Sequence, residues 1–588
     1  MFIRSLIGLF LLVLWSPILH AQSRHDFVWL LGTPGNSSMD PYYAGSYIDF
    51  SNGNPFFESL ILPLDMWYPN IMSDESGRLS FYNNGCSIMN AEHQMIENGD
   101  ELNEGFIHET FCHYPNHPVG YPSYQGHITL PYPEHPGEYF LFHAWVNEEY
   151  LTRKLLYTHV DMTANGGQGR VLAKNKELAQ DTLSRALTAT RHANGRDWWV
   201  VSTRWNSSVY YLYLLDPSGI SGPFLQQPDA GWIPGHEGTL SNVFSPDGTK
   251  YARVGGDAPA AFRIYDFDRC SGVFSNPKTI QIPDTSTYAP WACFSPNSRF
   301  LYLQNWGEYL YQYDTWAADI SASVQLIGVY DGFLGRHDLP TSFNSLLTGP
   351  DGRIYMSCGN GVNYLHTIHR PDEPGLACDF RQHDVVLPSI YPFYLPNMPF
   401  YRLYNLPGSP CDTLGVEPPI SAFWRSEQDT LDNPLAMIFT DVSYFQPVSW
   451  QWNFGDGTAG STLPSPIHEY PAPGGYEVCL RVCNAVGVCD TLCRVVEIKV
   501  VGTAGTEPPI PFEVYPNPAH SWLFISARVW ASPIALEIFD VLGRRVLQQQ
   551  IAASSGGELV NLQALSPGVY FLSLRSGGQV WTRKLVKE

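Results

Sequence analysis

Phe244-Ser-Pro-Asp-Gly-Thr-Lys-Tyr-Ala252, Phe294-Ser-Pro-Asn-Ser-Arg-Phe-Leu-Tyr302 and Thr348-Gly-Pro-Asp-Gly-Arg-Ile-Tyr-Met356 are three versions of one phrase, a tight turn followed by an apolar strand. They recur at intervals of 50 and 54 residues. The Pro-Asp-Gly core has a physical reason: proline presets φ for the first central residue of the turn, and glycine accepts positive φ. Ser73-Asp-Glu-Ser-Gly-Arg-Leu-Ser-Phe-Tyr82 has the same form, and Asp197-Trp-Trp-Val-Val-Ser-Thr203 supplies a matching strand. A period near 50 with several strands per unit is the signature of a β-propeller. Strand runs divide residues 25–405 into seven units, at 25–70, 71–118, 119–180, 181–235, 236–285, 286–340 and 341–405. Helical periodicity is nearly absent, with one short helical turn expected near Lys174 to Ala179.

Outward from these repeats, the chain of 588 residues is too long for one core. Its 50 glycines and 47 prolines, with 14% aromatic and only 15% charged residues, suit short strands joined by tight turns. Two Pro-rich joints, Leu406 to Ile420 and Gly502 to Pro511, both contain Glu-Pro-Pro-Ile and read as stiff extended spacers. They leave modules at 25–405, 420–500 and 512–588, with linkers at 406–419 and 501–511. The expected fold class is all-β: a seven-bladed β-propeller followed by two small immunoglobulin-like β-sandwiches.

The start of the chain carries one positive charge at Arg4 and an apolar run from Leu6 to Leu14, broken by Trp15-Ser-Pro17. That run is about half the ~20 residues needed to span a bilayer, so residues 1–21 read as a signal peptide cut between Ala21 and Gln22, with Leu19 an imperfect match three residues before the cut. No cysteine follows the cut, and no transmembrane segment is expected in the mature chain. Net charge is -22, while residues 512–588 hold seven Lys/Arg against five Asp/Glu, so the acidic excess lies before them. Such a surface repels phosphate backbones, and nucleic acid is excluded as a partner.

The first module resembles WD-repeat-like propellers of secreted bacterial proteins, in which a strand such as Gly77-Arg-Leu-Ser-Phe-Tyr-Asn-Asn-Gly85 opens the ring. The middle module, with Trp450-Gln-Trp-Asn-Phe-Gly-Asp-Gly457, Pro466-Ile-His-Glu-Tyr470 and Tyr476-Glu-Val-Cys-Leu480, resembles the PKD family. Alternation puts Trp450, Trp452 and Phe454 on one strand face, the expected core. That resemblance implies a spacer or binding module. The third module resembles the C-terminal sorting domain of the type IX secretion system. Its motifs are Val514-Tyr-Pro-Asn-Pro-Ala519, Ile538-Phe-Asp-Val-Leu-Gly-Arg-Arg-Val546, Leu565-Ser-Pro-Gly-Val-Tyr-Phe-Leu572 and Arg583-Lys-Leu-Val586. Within these motifs the sorting residues are Tyr515, Pro516, Asn517, Pro518, Gly543, Gly568, Tyr570 and Lys584. The resemblance implies the type IX machinery as a partner and a secreted or surface-attached product.

Cysteine spacing permits a register test. In an antiparallel hairpin, opposed residues have a constant index sum, and one register pairs Cys483 with Cys489 and Cys479 with Cys493. Disulfides at both pairs are expected in an oxidising compartment, with a metal bound by two C-x3-C pairs as the rival. Seven cysteines precede them, Cys86, Cys112, Cys270, Cys293, Cys358, Cys378 and Cys411. The odd number leaves one unpaired, and Cys358 with Cys378 is an expected link within one blade.

No catalytic, cofactor-binding or metal-binding residue is assigned from the sequence. His108-Glu-Thr-Phe-Cys-His113, followed by His117, does not have the His-Glu-x-x-His spacing that puts two imidazoles on one helical face. Asp247, Asp351 and Asp456 sit in turns, where aspartate bonds nearby backbone. There is no nucleophile elbow, phosphate loop or dinucleotide fingerprint. Trp205, Trp232, Trp306 and Trp316 lie near loop or strand ends, where flat rings can stack on sugars or pack between blades. The expected function is an exported surface or secreted binding protein whose propeller recognises an extracellular glycan or protein. The alternatives are an exported enzyme degrading polysaccharide or peptide at the propeller channel, and a structural component of an adhesive matrix or gliding machinery.

Overall fold

A computed structural model describes residues 23–33, 43–113, 120–229, 241–255, 261–283, 291–305, 307–391, 393–415, 420–429, 433–445, 447–499, 512–515, 519, 521–527, 534–540, 544–551, 558–576 and 579–587. The signal-peptide reading lies outside them. The chain is all-β: the described α-helices are Phe106–Phe111 and Ala164–Gly167, beside a few single 3-10 turns. No described helix is long and apolar enough to cross a membrane.

Between Val28 and Tyr391 the described residues build seven successive antiparallel meanders, called here sheets I to VII. Sheet I spans 28–60, II 70–90, III 127–183, IV 188–226, V 242–281, VI 291–329 and VII 343–391. The first two have three strands each and the others four. Strands such as Trp198–Thr203 and Phe300–Asn305 are buried along their whole length, as expected of β-branched and aromatic runs packed on both faces. Each sheet shares an apolar core with the next. Trp199 and Leu212 of sheet IV pack with Tyr251 and Tyr265 of sheet V, and Val254 of sheet V with Leu301 of sheet VI. Leu365 and Leu387 of sheet VII join Trp29 and Ile48 of sheet I, so the cycle of neighbours closes. Ser46 and Ser389 hydroxyls, 2.7 Å apart, mark the same closure.

The repeated turns join the first and second strands of their sheets. Asp247 Oδ1 accepts the Thr249 amide, and the Lys250 amide donates to Ser245 Oγ. One repeat later, Asn297 Oδ1 accepts the Arg299 amide and the Phe300 amide donates to Ser295 Oγ. Ser298 takes the positive φ of 64° that Gly248 takes at 70°, so the second repeat keeps the turn without its glycine.

Two expectations fail here. Lys174 to Ala179 is not a helical turn but part of strand Arg170–Leu183, where register shifts break the alternation that marks a strand. Cys358 and Cys378 are not bonded; with Cys293 they are buried free thiols. Cys358 ends the second strand of sheet VII, whereas Cys378 lies beyond the end of the third, at the opposite end of an antiparallel meander. The disulfides are Cys86–Cys112 and Cys270–Cys411 instead.

The chain then returns through the middle of the cycle. Asn397 Nδ2 donates to the carbonyls of Gln125, His127 and Leu187, at 3.0 Å each. Tyr401 Oη donates to Thr129 O, and Arg402 pairs with buried Asp26. The first Pro-rich joint is not an extended spacer over residues 406–415. It folds into successive turns, bonds Ala193 O through the Leu406 amide, and is stapled to Cys270 through Cys411.

Residues 424–498 form two three-stranded sheets. One holds Trp424–Gln428, Ala436–Asp441 and Ile467–Glu469; the other holds Ser449–Asn453, Gly474–Cys483 and Cys489–Ile498. Trp452 and Phe454 are buried, and Trp424 and Phe439 pack against Trp452. Trp450 is only half-buried and donates its indole N–H to Asp441. Cys479 is bonded to Cys493 and Cys483 to Cys489. Asp456 belongs to turn chemistry, accepting the Thr458 amide and lying 2.7 Å from His468 Nε2.

Residues 512–587 form a three-stranded sheet, Phe512–Tyr515, Trp522–Ala527 and Glu558–Asn561, and a four-stranded one, Ile534–Asp540, Arg545–Ile551, Gly568–Ser576 and Gln579–Lys587. Leu536, Ile538, Tyr570, Leu572 and Leu574 belong to its core. Tyr570 Oη donates to Ser566 O across the turn that opens its strand at Gly568. Tyr515 and Lys584 lie on strands, Lys584 opposite Phe571. Pro516, Asn517, Pro518 and Gly543 lie outside the described residues; Asp540 and Arg544 are hydrogen-bonded to each other.

Candidate functional site

Four connections bring side chains together here: three lead directly into the first strand of a sheet, and one leaves the last strand of sheet VII, which in a four-stranded antiparallel meander ends where its first strand begins. Tyr68 lies in the link from sheet I to II, Tyr124 in the link from II to III, Arg185 in the link from III to IV, and Tyr394 follows sheet VII. Tyr68 stacks on Tyr394, with ring centroids 5.6 Å apart, and meets Tyr124 edge-on at 5.4 Å. Tyr124 and Tyr394 are 4.9 Å apart, also edge-on. The Arg185 guanidinium stands 5.5 Å from the centre of the Tyr124 ring. Trp291 and Phe393 flank Tyr394, and Trp67 packs on Phe393. Tyr68, Tyr124, Tyr394 and Arg185 are all half-buried.

Local chemistry holds this cluster in place. The Cys86–Cys112 disulfide pins the loop that carries Tyr124, and Tyr121, buried below it, donates its hydroxyl to Val146 O. Beneath lie buried polar atoms without partners: Asp65 Oδ1, Ser123 Oγ and His127 Nε2. Burial pushes the Asp65 carboxyl up to about 8, so it is mostly protonated at neutral pH. Burial lowers His127 to about 4, so its ring is neutral. A void of about 20 Å³ between Ser123, His127 and Tyr394 has room for one water. Further along the axis, the cavity bounded by Gln125, Asn242, Trp291 and Asn397 measures about 90 Å³. That is well below the roughly 300 Å³ of a small-ligand pocket, because residues 394–402 fill the passage.

A larger cavity of about 840 Å³ lies between the turns of sheets VI and VII and residues 438–467. Several of its charged groups are committed to partners. Arg402 pairs with Asp26 and Arg425 with Glu427; Asp372 accepts the Asn297 amide and Asp441 the Trp450 indole. Burial raises Asp372 to about 6 and raises Asp441 as well. The surrounding ion-pair network is structural in geometry: Arg353 bridges Asp351 at 2.7 Å and Glu427 at 2.5 Å, and His369 Nε2 lies 2.7 Å from Asp384.

Of the tryptophans singled out in the sequence, Trp205 is half-buried in the turn after strand Trp198–Thr203, its amide bonded to Thr182 O. Trp316 is exposed in the turn after Tyr309–Asp314, with the Arg299 guanidinium 5.6 Å from its ring. The first turn follows a second strand and the second a third strand, so the two rings emerge at opposite ends of their sheets. Trp232 and Trp306 lie outside the described residues. His108 is buried with Nδ1 on Leu102 O, and His113 pairs with Glu109. No group of three or more His, Cys, Asp or Glu suited to a metal occurs among the described residues.

Comparison with known proteins identifies two modules. Residues 513–588 match the secretion system C-terminal sorting domain, and residues 417–500 match the PKD domain. No curated protein matches the chain. Among solved structures, the PKD1 domain of Vibrio anguillarum Epp is similar at 25% identity, over 14% of this chain and 99% of its own, with a TM-score of 0.13. A putative 6-phosphogluconolactonase from Bacteroides uniformis is similar at 14% identity, over 62% of this chain and 98% of its own, with a TM-score of 0.37. One from Bacteroides fragilis is similar at 11% identity, over 64% and 97%, with a TM-score of 0.38. The sorting signal and the PKD domain make this a secreted or cell-surface protein, and the sorting domain implies passage through the type IX machinery.

Proposed function

We propose that this chain is an exported binding protein whose residues 25–405 form a seven-bladed β-propeller that takes an extracellular glycan on the face carrying Tyr68, Tyr124, Arg185 and Tyr394. In this reading residues 1–21 are the signal peptide, 420–500 and 512–588 two small β-sandwiches, and 406–419 and 501–511 the segments between them. The closed cycle of seven packed meanders supports the ring. The observation that carries the function is the convergence of three tyrosine rings and one guanidinium from four separate connections. Packing alone does not require incompletely buried rings to converge at one mouth of a ring, whereas sugars bind through flat aromatic faces edged by polar groups. The small volume left along the axis weighs against a channel active site.

The test incubates the secreted chain with insoluble polysaccharides and with matrix proteins, and assays the same tubes for released products. Retention on polysaccharide that Tyr394→Ala abolishes, without products, supports the reading. Released products would move the chain to the enzymatic alternative. Retention on matrix proteins alone would make the ligand a protein, and stable self-association would favour a structural component.

A further inference from the structure

The tyrosine cluster contains a charge that its surroundings do not answer. Arg185 is half-buried, donates one hydrogen bond from Nη2 to Tyr150 O, and stands over the Tyr124 ring. No carboxylate lies within ion-pair reach of it among the described residues. Other buried arginines of this module are satisfied more fully: Arg263 pairs with Asp229, Arg353 with Asp351 and Glu427, and Arg402 with Asp26, while Arg191 and Arg269, which also lack a carboxylate, each donate to two or more backbone carbonyls. The groups around Arg185 are the phenols of Tyr124, Tyr68, Tyr121 and Tyr394, and burial lowers its pKa from that of a free guanidinium. A guanidinium has five donors in a planar fork, matched to a carboxylate. Here one donor is used and the plane is held by a ring. Taking such a charge partly out of water without a partner is costly, and an incoming anion repays that cost. The chain otherwise carries a net charge of -22, so an anion is attracted to this spot by the local group and not by the general field.

We infer that Arg185 makes the site selective for acidic saccharides: a uronate carboxylate is held by the guanidinium while the sugar face lies on the Tyr124, Tyr394 and Tyr68 rings. This inference rests on the glycan-binding reading above and adds the charge of the ligand to it. The tyrosines supply affinity for a sugar ring of any charge. Arg185 supplies the discrimination, because a neutral sugar leaves its remaining donors to water.

The experiment uses the full secreted chain and paired polymers: polygalacturonate, alginate and hyaluronate, each against its carboxyl-reduced form. A charge-assisted contact to one carboxylate predicts retention of at least one acidic polymer about tenfold or more tighter than that of its neutral partner. The ratio falls with added salt, and Arg185→Gln brings it close to one. Arg185→Lys keeps part of the preference, since it keeps the charge without the fork. If Arg185→Gln is not secreted, the ratio and its salt dependence in the parent decide the matter. Equal retention of acidic and neutral polymers, unchanged by Arg185→Gln, overturns the acidic preference and leaves glycan binding standing. No retention of any polymer by the parent overturns both.

Discussion

Asn397 is the residue by which ring closure can be tested. Its side-chain amide has two N–H groups, and it offers them to the carbonyls of Gln125, His127 and Leu187 at 3.0 Å each, tying the segment after sheet VII to the inner edges of sheets III and IV. Asn397→Ala removes both donors. The two N–H groups contribute about 1 kcal/mol each, and carbonyls left without an amide partner add about 1 kcal/mol or more. The Gln125 carbonyl keeps the Leu187 amide, so the penalty falls on the other two. The sum is about 2–4 kcal/mol. Asn397→Asp is isosteric but brings acceptors to face acceptors, so at neutral pH it costs more than Asn397→Ala. Those carbonyls raise the new carboxyl's pKa in the folded state. Its penalty therefore grows as pH rises above the unfolded value near 4 and shrinks as the group protonates. Urea unfolding of the secreted chain, followed by tryptophan fluorescence at pH 7 and pH 5, measures both. A loss under about 0.5 kcal/mol for Asn397→Ala, or no difference in pH response for Asn397→Asp, would refute a central tie at this residue.

Three further outcomes are expected. Burial keeps His127 neutral down to about 4, against an unfolded value near 6.5. The unfolded chain therefore takes up a proton that the folded chain refuses, and stability falls as pH drops below 6.5, by about 1.4 kcal/mol per pH unit. His127→Gln should remove that slope relative to the parent in urea midpoints between pH 6.5 and 5. The comparison must be relative because Asp65, raised to about 8, works in the opposite direction, and an unchanged slope would contradict the assignment. Chain-entropy reasoning gives the Cys270–Cys411 disulfide, with a separation of 141, about 5 kcal/mol, and Cys86–Cys112, with a separation of 26, about 3.5 kcal/mol. The double serine variant of the first pair should unfold at lower urea than that of the second, and the reverse order would count against the model. Deleting residues 512–588 should leave the chain inside the cell by fractionation and immunoblotting; normal appearance in the medium would contradict export through the sorting domain.

The parts of the fold legible in the sequence are those fixed by local chemistry. Ser245, Asp247 and Gly248 announce a turn because their own side chains and φ values build it, and the period of that turn marks the sheets. Trp452 and Phe454 announce a core face by alternation, and the hairpin cysteines share a register because only six and fourteen residues separate the pairs. Cys270 and Cys411 carry no such signal. Their partnership depends on a cycle of sheets bringing the end of the module back to its middle. Strand Arg170–Leu183 hid behind its own bulges, which erase the alternation a strand is read by.

The candidate site was invisible for a related reason. Sequence reasoning looked for tryptophans at loop ends because large rings are the conspicuous sugar platform, and the described pair emerge at opposite ends of their sheets. Tyr68, Tyr124, Arg185 and Tyr394 sit in links with no shared motif, because nothing in a link must repeat when each contributes one side chain. What a cyclic meander does repeat is the end at which its first strands begin. A ring of sheets thus converts four unrelated connections, spread over more than half the chain, into neighbours within 6 Å. The same topology lets those links vary without disturbing the cores between sheets, since cores are built from strand residues such as Leu212, Tyr251 and Leu301. Ligand choice is therefore written in the connections and stability in the strands, so Arg185→Gln should change which polymer is held with little effect on the urea midpoint, whereas Asn397→Ala should do the reverse.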